Sequence, residues 1–492
     1  LRNAEELAQF AKTIDLDAVR AQVAARAASE PGRALALALG PLDDRAAIEE
    51  ALARTRDAHA LAAPPDLSGV APAGWIFDRA QRSKRPLDPR ELWLLAQTVR
   101  AGEKARAVPL GSALSKLALE VDPLFAERVE AALEPETQEV KEELLRDVRE
   151  AMRAARAELA EALEQFAAEH AGCTVEERQG RLCVASRTAV PGTLVDRDGA
   201  VGFFEPESAR ELSNRALELE LEESARTEKI LLELDALADE HEPALRTLGE
   251  SLARLDLHLA LGRFARDLGM TEPSFGEALH LEHVRHPVLI ERGECIPIDV
   301  TLDPSRYLLL VITGPNGGGK TVALKTVGLV CVLALSGSFV PARRATVPFF
   351  EELLAAAVAP DDFAHGLSTF EVHARRLAAV AKSSSGNALV LLDELGLGTD
   401  PIEGGALGSA LLEFLLARRS FVLATTHLGP IKKFAETTAG AAIASVAVDA
   451  RGKPLYSLTL GKAGESSALE VARRSGVPEA IVARAEAIVR GR

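Results

Sequence analysis

The stretch from Arg306 to Ala323, RYLLLVITGPNGGGKTVA, constrains the fold more than any other part of this 492-residue chain. Tyr307 to Ile312 is a short apolar run, the signature of a strand buried on both faces. It breaks into Gly314, Pro315, Asn316, Gly317, Gly318, Gly319, Lys320 and Thr321, which fits G-x-x-x-x-G-K-[ST] at every fixed position. Glycines let backbone N–H groups curl around phosphate oxygens without a Cβ clash. Lys320 is then placed for the β- and γ-phosphates, the Thr321 hydroxyl for a Mg²⁺ position, and an apolar helix points its N-terminus at the anion. The order strand, loop, helix predicts a nucleotide-binding loop in an α/β domain.

The length allows two to four domains and a large core. A net charge of −16 argues against coating nucleic acid by bulk attraction, and leaves a local basic face open. Aromatic content of 4% speaks against an extended base-stacking platform. Cys173, Cys183, Cys295 and Cys331 show no C-x-x-C spacing. His280, His283 and His286 form a row, but Pro287 follows at once and no acidic cluster accompanies them, so no metal site is assigned there. The chain opens without a secretory leader or an initiator Met, and its apolar stretch Val327 to Leu335 is too short to cross a bilayer. The expectation is a soluble, cytoplasmic protein without membrane contact.

Along the chain, residues 1–125 read as a helical domain, with breaks at Pro31-Gly32, Gly40-Pro41, Pro64-Pro65 and Pro86 to Pro89. Trp75 and Trp93 are expected as its core anchors. Residues 126–273 carry two long amphipathic patterns, Thr137 to His170 and Ala209 to Leu268, expected to pair antiparallel as an arm. Pro243 should kink or break the second. Between them, at about 172–205, Gln179-Gly180 and Asp198-Gly199 each separate short β-prone runs, predicting two hairpins at the arm's tip. Arg178, Arg181, Arg187 and Arg197 on that tip are candidates for nucleic-acid contact; the alternative is a solvated face, since Glu176, Glu177, Asp196 and Asp198 lie among them. The Phe-x-Glu string at Phe203 to Glu205 ends a hairpin and reads as structural.

The ATPase domain is placed at 274–464. Ala388 to Leu392 is a second apolar strand, closed by Asp393-Glu394. Downstream of a phosphate loop, such a pair supplies a Mg²⁺-linked carboxylate, Asp393, and a water-orienting one, Glu394. Phe421 to Thr425 makes a third strand ending in Thr426-His427, where His427 is positioned to read a γ-phosphate. Residues 465–492 alternate apolar and charged positions around Gly476-Val477-Pro478, a helix-turn-helix whose apolar surface needs cover and is assigned to dimerisation.

These motifs resemble the MutS ATPases of the ABC superfamily. The matching segments are TGPNGGGKT (313–321), DDFAHGLSTF (361–370), LVLLDELGLGTDPIEG (389–404) and ATTH (424–427). The chain is most similar to the second bacterial branch, which lacks the mismatch-reading domain, also through FFEP (203–206), RHPVL (285–289) and the tail at 468–485. The resemblance implies an ABC-type P-loop domain joined to a helical region with a long arm and a small β clamp. It implies Mg²⁺ and ATP at two composite sites of a homodimer. Gly314 to Thr321, Asp393, Glu394 and His427 of one subunit would bind the nucleotide, and Ser368 of the other would cap its γ-phosphate. By spacing, Ile296 and Tyr456 take the adenine-stacking positions. Ala357-Val358 replaces the family's usual Ile-Gly pair. Members of the branch usually continue to an Smr nuclease domain; none is visible before Arg492, so nuclease activity is not expected of these residues.

Two readings of function stay open at this level. One is a dimeric ATPase that clamps branched or duplex DNA and suppresses recombination. The other is an ATPase that splits stalled or collided ribosomes. A transporter motor would need an LSGGQ-type signature where this chain has LSTF, and long-arm chromosome ATPases place the arm between the two nucleotide motifs rather than before both.

Overall fold

A computed structural model describes residues 4–120, 122–178, 180–293, 295–315, 317–357, 369–384, 386–448, 454–461, 469, 472–473 and 476–490. Two compact units emerge. The first joins residues 1–67 and 105–118 to 252–492, and the second comprises 68–104 and 119–251. The stretch 1–125, read from sequence as one helical domain, is therefore divided between the two.

The first unit is built on a six-stranded sheet in the order Glu352–Ala356, Ala388–Leu392, Phe421–Thr425, Leu309–Thr313, Ala441–Val448, Pro454–Leu460. Its first five strands are parallel and the last is antiparallel. Ala388–Leu392, Phe421–Thr425 and Leu309–Thr313 are buried throughout, as expected of central strands covered on both faces. The helix Lys320–Leu335 follows the phosphate loop and is almost wholly buried, which explains why its sequence is apolar around the full turn. Gly328 lets it approach the amino-terminal helix Ala4–Thr13 and its flank: a Cβ there would stand 2.6 Å from Ile14 and 2.8 Å from Leu391. Phe10 and Ile14 thus belong to the same core as the sheet. A second, four-stranded sheet of Ser274–Phe275, Arg344–Val347, Leu279–Val284 and Ile298–Leu302 flanks that core.

In the second unit, Glu142–Glu169 pairs with the first part of Arg210–Leu268. Arg226 bonds Asp147, Arg149 bonds Glu223 and Arg156 bonds Glu220, so rising numbers meet falling ones and the pair is antiparallel. Arg210–Leu268 runs as one helix through Pro243, which excludes the break. The Thr247 hydroxyl donates to the Pro243 carbonyl at 2.9 Å, in the turn that follows the proline. The tip is a four-stranded sheet ordered Thr174–Arg178, Arg181–Ser186, Val201–Glu205, Thr193–Asp198, made of two antiparallel hairpins joined by their inner strands. Phe203 and Phe204 are both buried in it, so the Phe-x-Glu string is sheet core.

Trp75 departs from expectation. The helix Ala73–Ser83 buries Ala73, Ile76, Phe77 and Ala80, a stripe at helical spacing that leaves Trp75 outside, 54% exposed, with the Arg79 guanidinium 5.2 Å from its ring. Trp93 is half-buried.

Candidate functional site

The phosphate loop leaves the strand Leu309–Thr313 through Gly314 (φ 138°) and turns at Gly317 (φ 73°) and Gly319 (φ 94°). All three lie where an L side chain is strained, which is the physical demand behind the glycines. Lys320 is buried at the first turn of the helix, and its Nζ donates to the carbonyls of Gly314 at 3.1 Å and Pro315 at 3.0 Å. Burial pulls its pKa down, opposed by the carboxylates of Glu394 and Asp393.

Asp393 is the hub of the next layer. Its backbone N–H bonds Ala356 O at the end of the neighbouring strand. Its carboxylate oxygens lie 3.0 and 3.2 Å from the Thr321 hydroxyl, and the Thr425 hydroxyl donates to one of them at 2.6 Å. Thr425 Oγ also accepts the Glu394 N–H at 2.7 Å. Glu394 itself sits at φ 50°, a left-handed conformation that a glutamate adopts only when its surroundings enforce it. Here the enforcing contacts are Thr425 and the Leu395 N–H bond to Thr425 O at 2.8 Å. Sequence reasoning named ATTH yet gave a role only to its histidine; Thr425, the residue that ties both carboxylate-bearing positions to the neighbouring strand, was missed. The signal was a hydroxyl residue ending a strand adjacent to the one that ends in Asp-Glu.

His427 is exposed at the next turn, and partial desolvation of its ring, followed by the Lys320 and Lys432 charges, holds its pKa below the usual imidazole range. On the other side of the loop, Ile296 and Tyr456 line a cavity of about 470 Å³ with His286, Cys295, Gly319 and Val322. A Cβ at Gly319 would come within 3.0 Å of the Tyr456 ring, so the glycine also makes room for the aromatic edge. The structure thus brings Lys320, Thr321, Asp393, Glu394 and His427 to one end of the central strands, with Ile296 and Tyr456 at the loop's flank. Asn316, Ser368 and Val358 lie outside the described residues. His280 bonds Thr301 and Glu282, while the His283 N–H bonds Asp299.

The donor set suits Mg²⁺. A hydroxyl and a carboxylate side by side at the loop are hard oxygen ligands of the kind that share an octahedral ion with phosphate oxygens and waters. The positive-φ glycines supply the anion cradle.

The tip arginines do not form a common face. Arg178 is held by Asp196 at 2.7 Å, lies 3.6 Å from Asp198 and stacks over Phe203. Arg181 pairs opposite Arg178 on the same side of the sheet, whereas Arg197 pairs opposite Gly202, on the other side from Phe203.

Residues 310–491 match the family model MutS domain V. The chain is 37% identical over 500 residues to Endonuclease MutS2 of Thermus thermophilus, across 97% of this chain and 65% of that protein. It is 35% identical over 508 residues to Endonuclease MutS2 of Pelotomaculum thermopropionicum, across 97% and 64%. With Endonuclease MutS2 of Thermomicrobium roseum the identity is 40% over 333 residues, 63% of this chain and 42% of that one. The chain spans just under two thirds of the length of the first two relatives. These likenesses support a MutS2-like family member. Among the described residues, no helix is long and apolar enough to cross a membrane.

Proposed function

We propose that this chain is the ATP-hydrolysing and DNA-gripping portion of a MutS2-like protein, a cytoplasmic dimer that clamps branched or duplex DNA and opposes recombination. The observation that carries the enzymatic reading is the Thr321–Asp393–Thr425 hydrogen-bond set with Glu394 locked beside it. Thr321 and Asp393 would hold Mg²⁺, which supplies charge neutralisation on the phosphates and orients them for in-line attack. Lys320 exchanges the carbonyls of Gly314 and Pro315 for phosphate oxygens. Glu394, fixed by Thr425, orients the attacking water and accepts its proton. His427, neutral near pH 7, offers a hydrogen bond to the γ-phosphate side. Ile296 and Tyr456 flank the base, and Ser368 of a second copy completes the site.

Support for the dimer comes from apolar side chains that one copy leaves uncovered. Ile402, Leu407 and Phe414 are exposed on the helix Pro401–Ala417, as are Ile481 and Ile488 on Glu479–Arg490. The test is Glu394→Gln, which keeps shape but removes the carboxylate. ATP binding should persist while turnover falls by roughly 100-fold or more. Parental turnover in that variant would refute the assignment.

A further inference from the structure

The second unit carries a concentration of positive charge apart from the tip. Residues 75–90 contain Arg79, Arg82, Lys84, Arg85 and Arg90 against Asp78 and Asp88, in a chain whose net charge is −16. The internal pairing sharpens this excess. Arg85 is taken up by Glu91 at 2.7 Å, and Asp78 is taken up by Arg246 at 2.8 Å. Arg82 donates to the Asp78 carbonyl, and neither it, Lys84 nor Arg90 has a carboxylate partner among the described residues. Arg79 is half exposed, with Glu91 no nearer than 3.6 Å.

Trp75, Arg79 and Arg82 recur at i, i+4 and i+7, so they form one stripe of the helix Ala73–Ser83, opposite its buried face. Arg79 and Arg90 also line one wall of an open groove of about 1140 Å³. Asp88, Glu139 and Glu228 line the same groove. A purely structural reading covers part of this: Arg82 and Lys84 end a helix and complement its dipole. It does not cover Arg90 in the first turn of Pro89–Arg106, where a cation opposes the dipole, nor an exposed tryptophan on the basic stripe.

We propose that Trp75, Arg79, Arg82, Lys84 and Arg90 form a docking surface for a phosphodiester strand that carries an unpaired base. The cations track phosphates and the indole offers a stacking plane. This rests on the reading of the protein as a nucleic-acid clamp and assigns the contact to this helix instead of the tip. The experiment uses the full chain with Arg82, Lys84 and Arg90 all changed to alanine, and separately Trp75→Ala. Each is titrated against forked DNA, blunt duplex DNA and a single-stranded RNA across a salt series. The triple variant should bind the forked DNA or the RNA more weakly, with a log–log salt slope shallower by up to roughly 2, at about 0.7 per lost single-strand phosphate. Trp75→Ala should weaken binding to unpaired substrates by roughly 10-fold and leave blunt duplex unchanged. ATP hydrolysis without nucleic acid should match the parent in both variants, and parental circular dichroism and urea unfolding report that the second unit folds. If the parent binds with a steep salt slope and the triple variant matches it on every substrate, the surface is wrong and the clamp reading stands. A parent that binds no nucleic acid at low salt overturns both.

Discussion

The two units hold themselves together differently. In the first, several polar side chains are enclosed in the packed core and held there by specific partners. Asp256, with no exposed surface, accepts from the N–H of Ala28, the N–H of Ser29 and the Ser29 hydroxyl. His258 bonds Thr55 in the same interior. In the second, the paired helices bury a narrow stripe of Ala155, Leu159, Leu163 and Ala216, and their charges meet at the surface. Packed volume specifies the first unit, whereas periodicity and solvated ion pairs specify the paired helices of the second. The first should therefore be intolerant of added atoms and of buried charge, and the paired helices tolerant of both kinds of change.

The largest expected effect breaks the packing side of that contrast. Gly328→Val places atoms where Ile14 and Leu391 already stand, on a buried helix between sheet and amino-terminal helix. Overpacking of this kind costs about 1–3 kcal/mol. The matched change Ala154→Val, on an exposed position of Glu142–Glu169, should stay within about 0.5 kcal/mol. Urea unfolding of the two variants decides it, and equal losses would erase the distinction between the units.

The same contrast governs what the sequence disclosed. The phosphate loop, the Asp393-Glu394 strand end and the hairpins were legible because each is a local pattern with a local cause: glycines at positive φ, apolar runs, and a glycine-bearing turn between β-prone runs. What stayed hidden depends on neighbours distant in the chain. Thr425 acquires its role only because Phe421–Thr425 pairs beside Ala388–Leu392. The amphipathic helices before residue 68 show which stripe is buried but not that its partner is the core around the phosphate-loop sheet. Trp75 was misplaced because a large aromatic suggests a core, while the spacing of Ile76, Phe77 and Ala80 decides which side of the helix faces it. Pro243 was weighed by its local cost alone, and the flanking turns, with Leu234, Ala238, Leu245 and Leu248 buried, keep the helix continuous.

An intermediate effect concerns acid. Complete burial pushes the His258 pKa down to about 3, from an ordinary value of 6.5. The Thr55 hydroxyl lies 2.7 Å from Gly337 O, 3.1 Å from Ala51 O and 3.1 Å from the ring Nδ1. A depressed folded pKa means that the unfolded chain binds the proton first. The contribution of His258 is complete above pH 6.5 and is lost as pH falls from there toward 3, at up to about 1.4 kcal/mol per unit. His258→Gln should lower stability at pH 7.5 yet flatten its fall between pH 6.5 and 5. Unfolding midpoints along that pH series measure both, and an unchanged slope would place the acid sensitivity elsewhere.

The smallest effect tests the solvated side. Arg149 donates to Glu223 at 2.6 Å across the two arm helices, with both side chains about a quarter exposed. Glu142 shares the same guanidinium, so the arginine keeps a partner when Glu223 is removed. That redundancy and the screening of a partly exposed pair limit the coupling, and a double-mutant cycle with Arg149→Ala and Glu223→Ala should give about 0.5–1 kcal/mol at low salt. At 1 M salt the Debye length shrinks to about 3 Å, so the coupling should fall but survive in part, because the contact is shorter than that length. The more exposed pair Arg226–Asp147 should show a smaller coupling that falls further under the same conditions. A coupling across Arg149–Glu223 as large as the Gly328→Val loss, and indifferent to salt, would mean that the arm depends on specified buried contacts as the first unit does. The two units would then differ in composition but not in how they are held.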